Sequence, residues 1–184
     1  MPRIGLRNIH YAVLTEDTTE ALAYSAIKEI PGAITANVTP NVNTQELYAD
    51  DQLWESDSAL GAVDVALEIA DLPLEIRAEL TGATLNLDGV LVEKADDAPP
   101  YIALGFASLK STGKYQYVWL LKGRARPFSD EYETRKENVE HKTPTLDFHF
   151  MPRRKDAEWR HMADEDQNDF TDAATWFDAV PGAD

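Results

Sequence analysis

The sequence contains no cysteine, which excludes disulfide bonds, zinc–thiolate sites and thiol nucleophiles. No stretch approaches the roughly 18 consecutive apolar residues of a membrane-spanning helix, and the opening residues MPRIGLRNIH lack the apolar core of a secretory signal. Basic residues are also scarce: 17 lysines and arginines stand against 33 aspartates and glutamates, a net charge of −16. A chain this acidic repels phosphate backbones, so stable binding to nucleic acid is disfavoured.

The common catalytic patterns are missing as well. Neither a GxxxxGK[ST] nor a GxGxxG phosphate loop occurs, there is no GxSxG nucleophile elbow, and the four histidines lack the spacing of a metal-binding helix motif. Asp164 and Asp166 imitate the start of a calcium loop, but Asp169 replaces its glycine and Thr175 its final glutamate. We therefore expect no enzyme activity, no cofactor and no resident metal, although a weak cation site shared between copies stays open.

Alternation of apolar and polar residues, the pattern of a half-buried strand, predominates along the chain. It is clearest in residues 61–70 and 143–150, where the apolar positions are Val63, Val65, Leu67, Ile69, Leu146, Phe148 and Phe150. Residues 4–14, 34–39 and 84–94 give further strands, and residues 18–30 fit either a helix or a strand. Strands outnumber helices and no βαβ alternation occurs, so we predict a mainly β fold, either a β-sandwich or an open barrel.

Residues 101–122 predict a long hairpin whose turn is Ser111-Thr112-Gly113. Gly113 can take the positive φ that short hairpin loops often need. In the return strand, aromatic and aliphatic residues occupy one face at spacing two, and Val118 and Leu120 lie on the other face. A strand that is apolar on both faces requires cover on both sides, from its own chain or from another copy.

Two short helices are predicted. The first follows Asp71 and Pro73, carries an apolar residue at every fourth position and ends at Gly82, so it should pack against the sheet. The second spans 171–180, with Thr171 as its cap, inside a C-terminal arm of residues 151–184.

Residues 41–59 and 124–142 are polar, charge-dense connections. The first carries Tyr48 and Trp54, and two interpretations remain open on these residues alone. The segment could be an extended hairpin whose aromatics fold back onto the core, or a docking loop whose aromatics anchor in a neighbouring subunit.

Seven segments, taken in order, resemble the major tail proteins (tail tube proteins) of long-tailed phages that infect Gram-positive bacteria, the phi13-type family. They are IGLRNIHYAVLTED at 4–17, IPGAI at 30–34, LYADD at 47–51, DLPLEIRAELTG at 71–82, PPYIALGF at 99–106, YQYVWLLKG at 115–123 and TPTLDFHFMPR at 143–153, followed by a late Trp-Phe pair at 176–177. Each segment is short, and the specificity comes from their order over nearly the whole chain.

The resemblance implies a single tail tube domain over 1–184. Some relatives carry an added immunoglobulin-like domain, and we expect none in this sequence. Copies would close into hexameric rings, and the rings would stack into the hollow tube through which DNA leaves the virion. The resemblance favours the docking interpretation of 41–59, as a ring-stacking loop with Tyr48, Asp50, Asp51, Trp54 and Glu55 as contact residues. The excess of acidic residues would then do more than keep the protein soluble, because an acidic surface repels DNA and lets it pass without adhering.

Further expectations concern the channel and the partners. Asp64, Glu68 and Asp147, on the polar faces of strands, are candidates for the channel lining, and the basic cluster of Arg153, Arg154 and Lys155 is a candidate contact with an acidic neighbour. The resemblance adds tape measure, tail terminator and distal tail proteins as partners, DNA only in transit, and synthesis in the bacterial cytoplasm with no membrane association.

The main alternative is a monomeric β-sandwich binding module for a carbohydrate or a protein. In that case Trp54 and Trp159 would form its stacking surface.

Overall fold

The structure, a computed structural model, describes residues 2–130, 134 and 143–183. Its elements are β1 (Arg3–Asp17), β2 (Leu22–Tyr24), β3 (Lys28–Ile30), β4 (Ala33–Ala49), β5 (Gln52–Ile69), α1 (Leu74–Thr81), β6 (Thr84–Leu85), β7 (Leu91–Val92), β8 (Ile102–Lys110), β9 (Tyr115–Ala125), β10 (Thr145–Phe150) and β11 (Arg160–Asp164). The mainly β class with a short packed helix is therefore confirmed, and residues 18–30 hold the two short strands β2 and β3 rather than a helix. Much of the connection at 124–142, including His141, lies outside the described residues.

Nine strands form one antiparallel sheet. Its order is β2-β1-β8-β9-β10-β5-β4, with β3 beside β1 and β11 beside β9, and a separate ribbon pairs β6 with β7. The sheet curls so that β1 and β4, distant in this order, come into contact. One face therefore encloses the main core, consistent with a β-sandwich.

The main core confirms the alternation read from the sequence. On β5 and β10 the alternating apolar residues are all buried, and they are Val63, Val65, Leu67, Ile69, Leu146, Phe148 and Phe150. Register places Phe148 against Val65 and Phe150 against Val63, so the two apolar rows meet across the strand pair. The polar residues between them consequently share the opposite face of the sheet.

The hairpin of β8 and β9 is apolar on both faces, as predicted, and the described chain itself covers both. Val118 and Leu120 lie in the main core, whereas Trp119 and Leu121 belong to a second cluster on the other face. Trp176, Phe177 and Val180 from the C-terminal segment, with Tyr24 and Ile27, complete this second cluster. The turn forms at residues 111–114, with Gly113 at φ 83°.

Helix α1 forms where its signals predict. Pro73 precedes its first turn, and Gly82 ends it in the left-handed conformation at φ 75°. Leu80 is fully buried, and Ile76 packs against the main core. A hydrogen bond from the Tyr11 hydroxyl to the Glu79 carboxylate adds a polar link between the helix and β1.

The predicted helix at 171–180 is wrong: residues 173–178 form consecutive turns. The carbonyl oxygen of Trp176, which a helix would use within its own backbone, accepts a hydrogen bond from Trp119 Nε1 at 3.0 Å. Phe177 makes edge contacts with Tyr117 and Trp119 at ring-centroid distances of 5.9 and 5.7 Å. Docking of aromatic side chains on the sheet thus overrides the helical pattern of this segment.

We predict that Gly105→Ala destabilises the fold. A Cβ atom at Gly105 would lie 2.8 Å from the buried indole of Trp119, its register partner, and overpacking of this kind costs about 1–3 kcal/mol. Gly5→Ala is the control, because its Cβ would meet nothing closer than 3.5 Å. Urea unfolding measures both variants, and equal midpoints would contradict this account of the packing.

Candidate assembly surfaces

The feature that departs most from a self-contained domain is the outer part of the β4–β5 hairpin. Strand β5 pairs with β10 only over Val63–Glu68, so within the described part of the chain residues 41–60 form a two-stranded ribbon with no third strand. At about 3.3 Å per residue the ribbon extends roughly 30 Å. We call residues 41–60 the hairpin arm. An extended hairpin, one of the two interpretations left open by the sequence, forms here: strands pair up to a turn at Asp50 and Asp51, both at positive φ (51° and 58°).

The hairpin arm does not fold back onto the core. Every side chain described between residues 41 and 60 is exposed, including Trp54 at 70% and Val42 at 57%. The side chain of Tyr48 lies outside the described residues. The hairpin arm also carries five carboxylates and no lysine or arginine. Because an isolated two-stranded hairpin is only marginally stable in water, these features favour a bound partner.

The side chains of the three candidate channel residues, Asp64, Glu68 and Asp147, lie on one face of the sheet. Glu68 and Asp147 alternate with core residues on β5 and β10, so they point away from the core, as does Asp64. Glu68 accepts hydrogen bonds from Thr143 at 2.6 Å and from Thr35 at 3.2 Å. This face is therefore acidic but rich in hydrogen bonds.

Asp64 is partly neutralised by its neighbours. Its carboxylate lies 2.8 Å from Arg126 Nη2, 3.0 Å from His149 Nδ1 and 2.8 Å from Asn41 Nδ2. The hydrogen bonds from His149 and Asn41, followed by the charge of Arg126, hold the pKa of Asp64 below its ordinary value. Asp64 consequently stays ionised, but the positive charge of Arg126 offsets part of its negative charge on this face.

The basic cluster separates into different roles. Arg153 is 2% exposed and binds within its own chain, to Asp156 at 2.5 Å, Glu158 at 3.0 Å and the Pro181 carbonyl at 2.7 Å. The expectation that Arg153 contacts a neighbouring subunit is therefore wrong: this cation holds the C-terminal segment. Arg154 is exposed.

Two buried lysines were missed by the sequence reading, because each looked like the polar end of a strand. Lys110 is 6% exposed and binds Asp164 at 2.7 Å as well as Asp166. Lys122, also 6% exposed, binds Asp17. Asp164 and Asp166, which resemble the start of a calcium loop in sequence, therefore bind the ammonium group of Lys110 in the hairpin of β8 and β9.

The position of Trp159 does not support the alternative function as a binding module. Trp159 packs against the core, and the guanidinium of Arg160 covers its ring at 4.3 Å, so it offers no open stacking face. Across residues 2–130, 134 and 143–183, no group of three or more histidine or acidic side chains could hold a metal ion. Within the same residues, no helix is long and apolar enough to span a membrane.

We predict that the Lys110 cluster makes stability depend on acid pH. Hydrogen bonds from Lys110 lower the pKa of Asp164 and of Asp166 below the ordinary 3.8. Their contribution is therefore present above pH 3.8 and is lost as the pH falls through the lower folded values.

The variant Asp164→Asn/Asp166→Asn should be less stable at neutral pH and should lose less stability on acidification. Urea midpoints between pH 7 and about pH 2.5 measure this. Asp88→Asn, at an exposed carboxylate outside the cluster, is the control. Parallel pH profiles for the wild type and the double variant would contradict the assignment.

Comparison with known proteins identifies the family of the chain. Among curated proteins, none matches the chain. Residues 17–184, from the end of β1 through the C-terminal segment, match the family described as phage tail tube protein. The match includes the hairpin arm, α1 and the hairpin of β8 and β9. The chain therefore belongs to the phage tail tube protein family, whose members are structural proteins of the virion and assemble in the tail from copies of themselves.

Proposed function

We propose that this chain is the major tail tube subunit, that six copies close into a ring, and that rings stack into a hollow tube through which DNA passes. The observation that carries the proposal is the exposed, acidic hairpin arm on a chain of the tail tube family. In a monomeric domain, an exposed two-stranded ribbon of roughly 30 Å would add no stability to the fold.

Ring closure is favoured by the margins of the sheet. In the described residues the sheet ends at β2 and β4, and the outer edge of β4 pairs with no strand. An unpaired edge of this length is an aggregation hazard unless something covers it. Pairing with the sheet of the next copy covers it, and a contact between two different edges closes into a ring if the rotation allows.

Ring stacking is assigned to the hairpin arm. Trp54, 70% exposed near the turn, is the kind of large aromatic that supplies most of the energy at protein interfaces. Asp50, Asp51 and Glu55 surround it with negative charge, which favours a basic acceptor and sets register more than affinity. Tyr48 belongs to the same proposed contact. The exposed Arg154, with Lys155, remains a candidate contact for an acidic neighbour.

The channel wall is assigned to the sheet face that holds Asp64, Glu68 and Asp147. Its carboxylates would repel DNA phosphates and leave the duplex mobile, in accord with a net charge of −16. The tape measure protein would occupy this channel before DNA does, and tail terminator and distal tail proteins would cap the tube ends. Catalysis has no part in this function.

We predict that replacing Thr44–Ser58 with an Asn-Gly turn leaves a folded subunit that forms no long tubes. Asn43 and Ala59 are register partners, so the two-residue turn closes the shortened hairpin without strain. Circular dichroism and thermal melting report on the fold, and negative-stain microscopy reports on tubes. Normal polymerisation of this variant would eliminate the stacking role of the hairpin arm.

A single substitution refines the same experiment. Trp54→Ala should raise the protein concentration needed for tube formation by about tenfold or more, the cost of truncating an interface anchor. Its melting temperature should not change, because Trp54 is exposed in the subunit. Leu87→Ala is the control, since Leu87 is exposed but lies outside the hairpin arm.

We predict that Glu68→Lys/Asp147→Lys tubes retain double-stranded DNA fragments that wild-type tubes release. Lysines facing the channel bind phosphates, and raising the salt concentration should reverse the effect. Co-sedimentation of labelled DNA with preformed tubes measures retention. Glu20→Lys/Asp88→Lys, an equal charge change away from this face, is the control, and equal retention by both variants would contradict the channel assignment.

A further inference from the structure

A groove of mixed polar and apolar lining lies at the N-terminal half of β1. There the strands β1, β4, β8, β9 and β11 surround a groove of about 550 Å³. Ile4, Ile34 and Met162, which line it, are 65%, 42% and 42% exposed, while Phe106 and Val118 are mostly buried. Exposed apolar residues around a concave site indicate that something covers it. We call this site the β1–β4 groove.

The charge of the β1–β4 groove is opposite to that of the chain as a whole. Arg3 and Arg160 both line it, and the ion pairs found among the described residues leave both without a carboxylate. Burial and the nearby charge of Arg3 lower the pKa of Arg160. The Arg160 guanidinium stacks on Trp159, but neither it nor Arg3 has a carboxylate among the described residues, so the groove presents two cations to an acidic segment.

The hairpin arm has the complementary chemistry. It carries five carboxylates and no basic residue, together with the exposed apolar side chains of Val42, Trp54 and Leu60. The groove volume of about 550 Å³ lies in the range of sites that hold a drug-sized molecule, so it fits a few side chains rather than the whole ribbon. The segment that fits best is the turn region, where Asp50, Asp51, Trp54 and Glu55 are concentrated.

We propose that the β1–β4 groove receives the turn of the hairpin arm, residues 50–55, from a second copy of this chain. The carboxylates of the turn pair with Arg3 and Arg160, and Trp54 covers the exposed side chains of Ile4, Ile34 and Met162. The proposal rests on the proposed function, since it identifies the acceptor for the stacking contact. The hairpin arm and the groove are different surfaces of one chain, so the contact runs head to tail and propagates from copy to copy.

Charge reversal with compensation tests the pairing. The groove variant Arg3→Glu/Arg160→Glu and the arm variant Asp50→Lys/Asp51→Lys should each need at least about tenfold more protein than wild type to form tubes, because like charges then meet at the contact. A chain that carries all four substitutions has the native net charge and should recover most of the lost assembly. An equimolar mixture of the two variants should recover part of it.

Controls separate charge pairing from misfolding. Thermal melting of every variant checks the fold. Arg160→Glu removes the cation that covers Trp159, and the arm variant places lysine at two positions of positive φ, so each should melt somewhat below wild type. The chain with all four substitutions carries both of these costs, so recovery of its assembly reports charge pairing rather than restored stability. Lys94→Glu reverses an exposed charge outside the groove and should assemble as wild type does. Sedimentation and negative-stain microscopy at stepped protein concentrations give the readout.

The outcomes distinguish this proposal from the one on which it rests. If wild-type protein forms no tubes at any concentration, the proposed function fails first. If wild type forms tubes and the groove variant does so equally well, the groove is not the acceptor, although the stacking role of the hairpin arm stands. If both charge variants fail and their combination fails equally, the two surfaces act separately and the pairing is wrong.

Discussion

The hairpin of β8 and β9 imposes the constraint on which the rest of the structure depends, because both of its faces are apolar and neither can be left in water. On the inner face the sheet curls until β1 contacts β4, and this curl encloses the main core. On the outer face the C-terminal segment lies across Trp119 and Leu121 and gives up a helical conformation to do so. Arg153 then fastens that segment through the carbonyl of Pro181.

The two buried lysines also belong to the hairpin of β8 and β9. Lys110 and Lys122 stand at the margins of the two apolar strands, and each is buried against carboxylates brought by other parts of the chain. A buried ion pair adds little net stability compared with a well-packed apolar pair, but losing one partner is costly. The pairs therefore fix where β1 and the segment after β11 join the hairpin. These cations are neutralised within the chain, whereas the arginines of the β1–β4 groove have no carboxylate among the described residues, which is why we propose an external partner for them.

Sequence reasoning succeeded where a local pattern and the tertiary environment agree. The alternation on β5 and β10, the helix between Pro73 and Gly82 and the turn at Gly113 all formed as predicted, because each is set within ten residues or fewer. It failed where distant groups decide. The segment at 171–180 has a helical pattern, yet rings of Tyr117 and Trp119, far away in sequence, determine its path. The β1–β4 groove draws residues from five strands, so no spacing in the sequence marks it.

The sequence left the hairpin arm open between an extended hairpin and a docking loop, because its residues are polar on both faces and solvent exposure on both faces removes the alternation by which strands are recognised. Backbone pairing between β4 and β5 runs along it to a turn whose two aspartates tolerate positive φ. An arm that projects from every subunit gives a polymer of these subunits a direction. A filament whose subunits each reach toward the same neighbour has two unlike ends, one presenting projecting ribbons and the other presenting empty receptors. Growth can then proceed at different speeds from the two ends, and a capping protein can tell one end from the other by shape and charge alone.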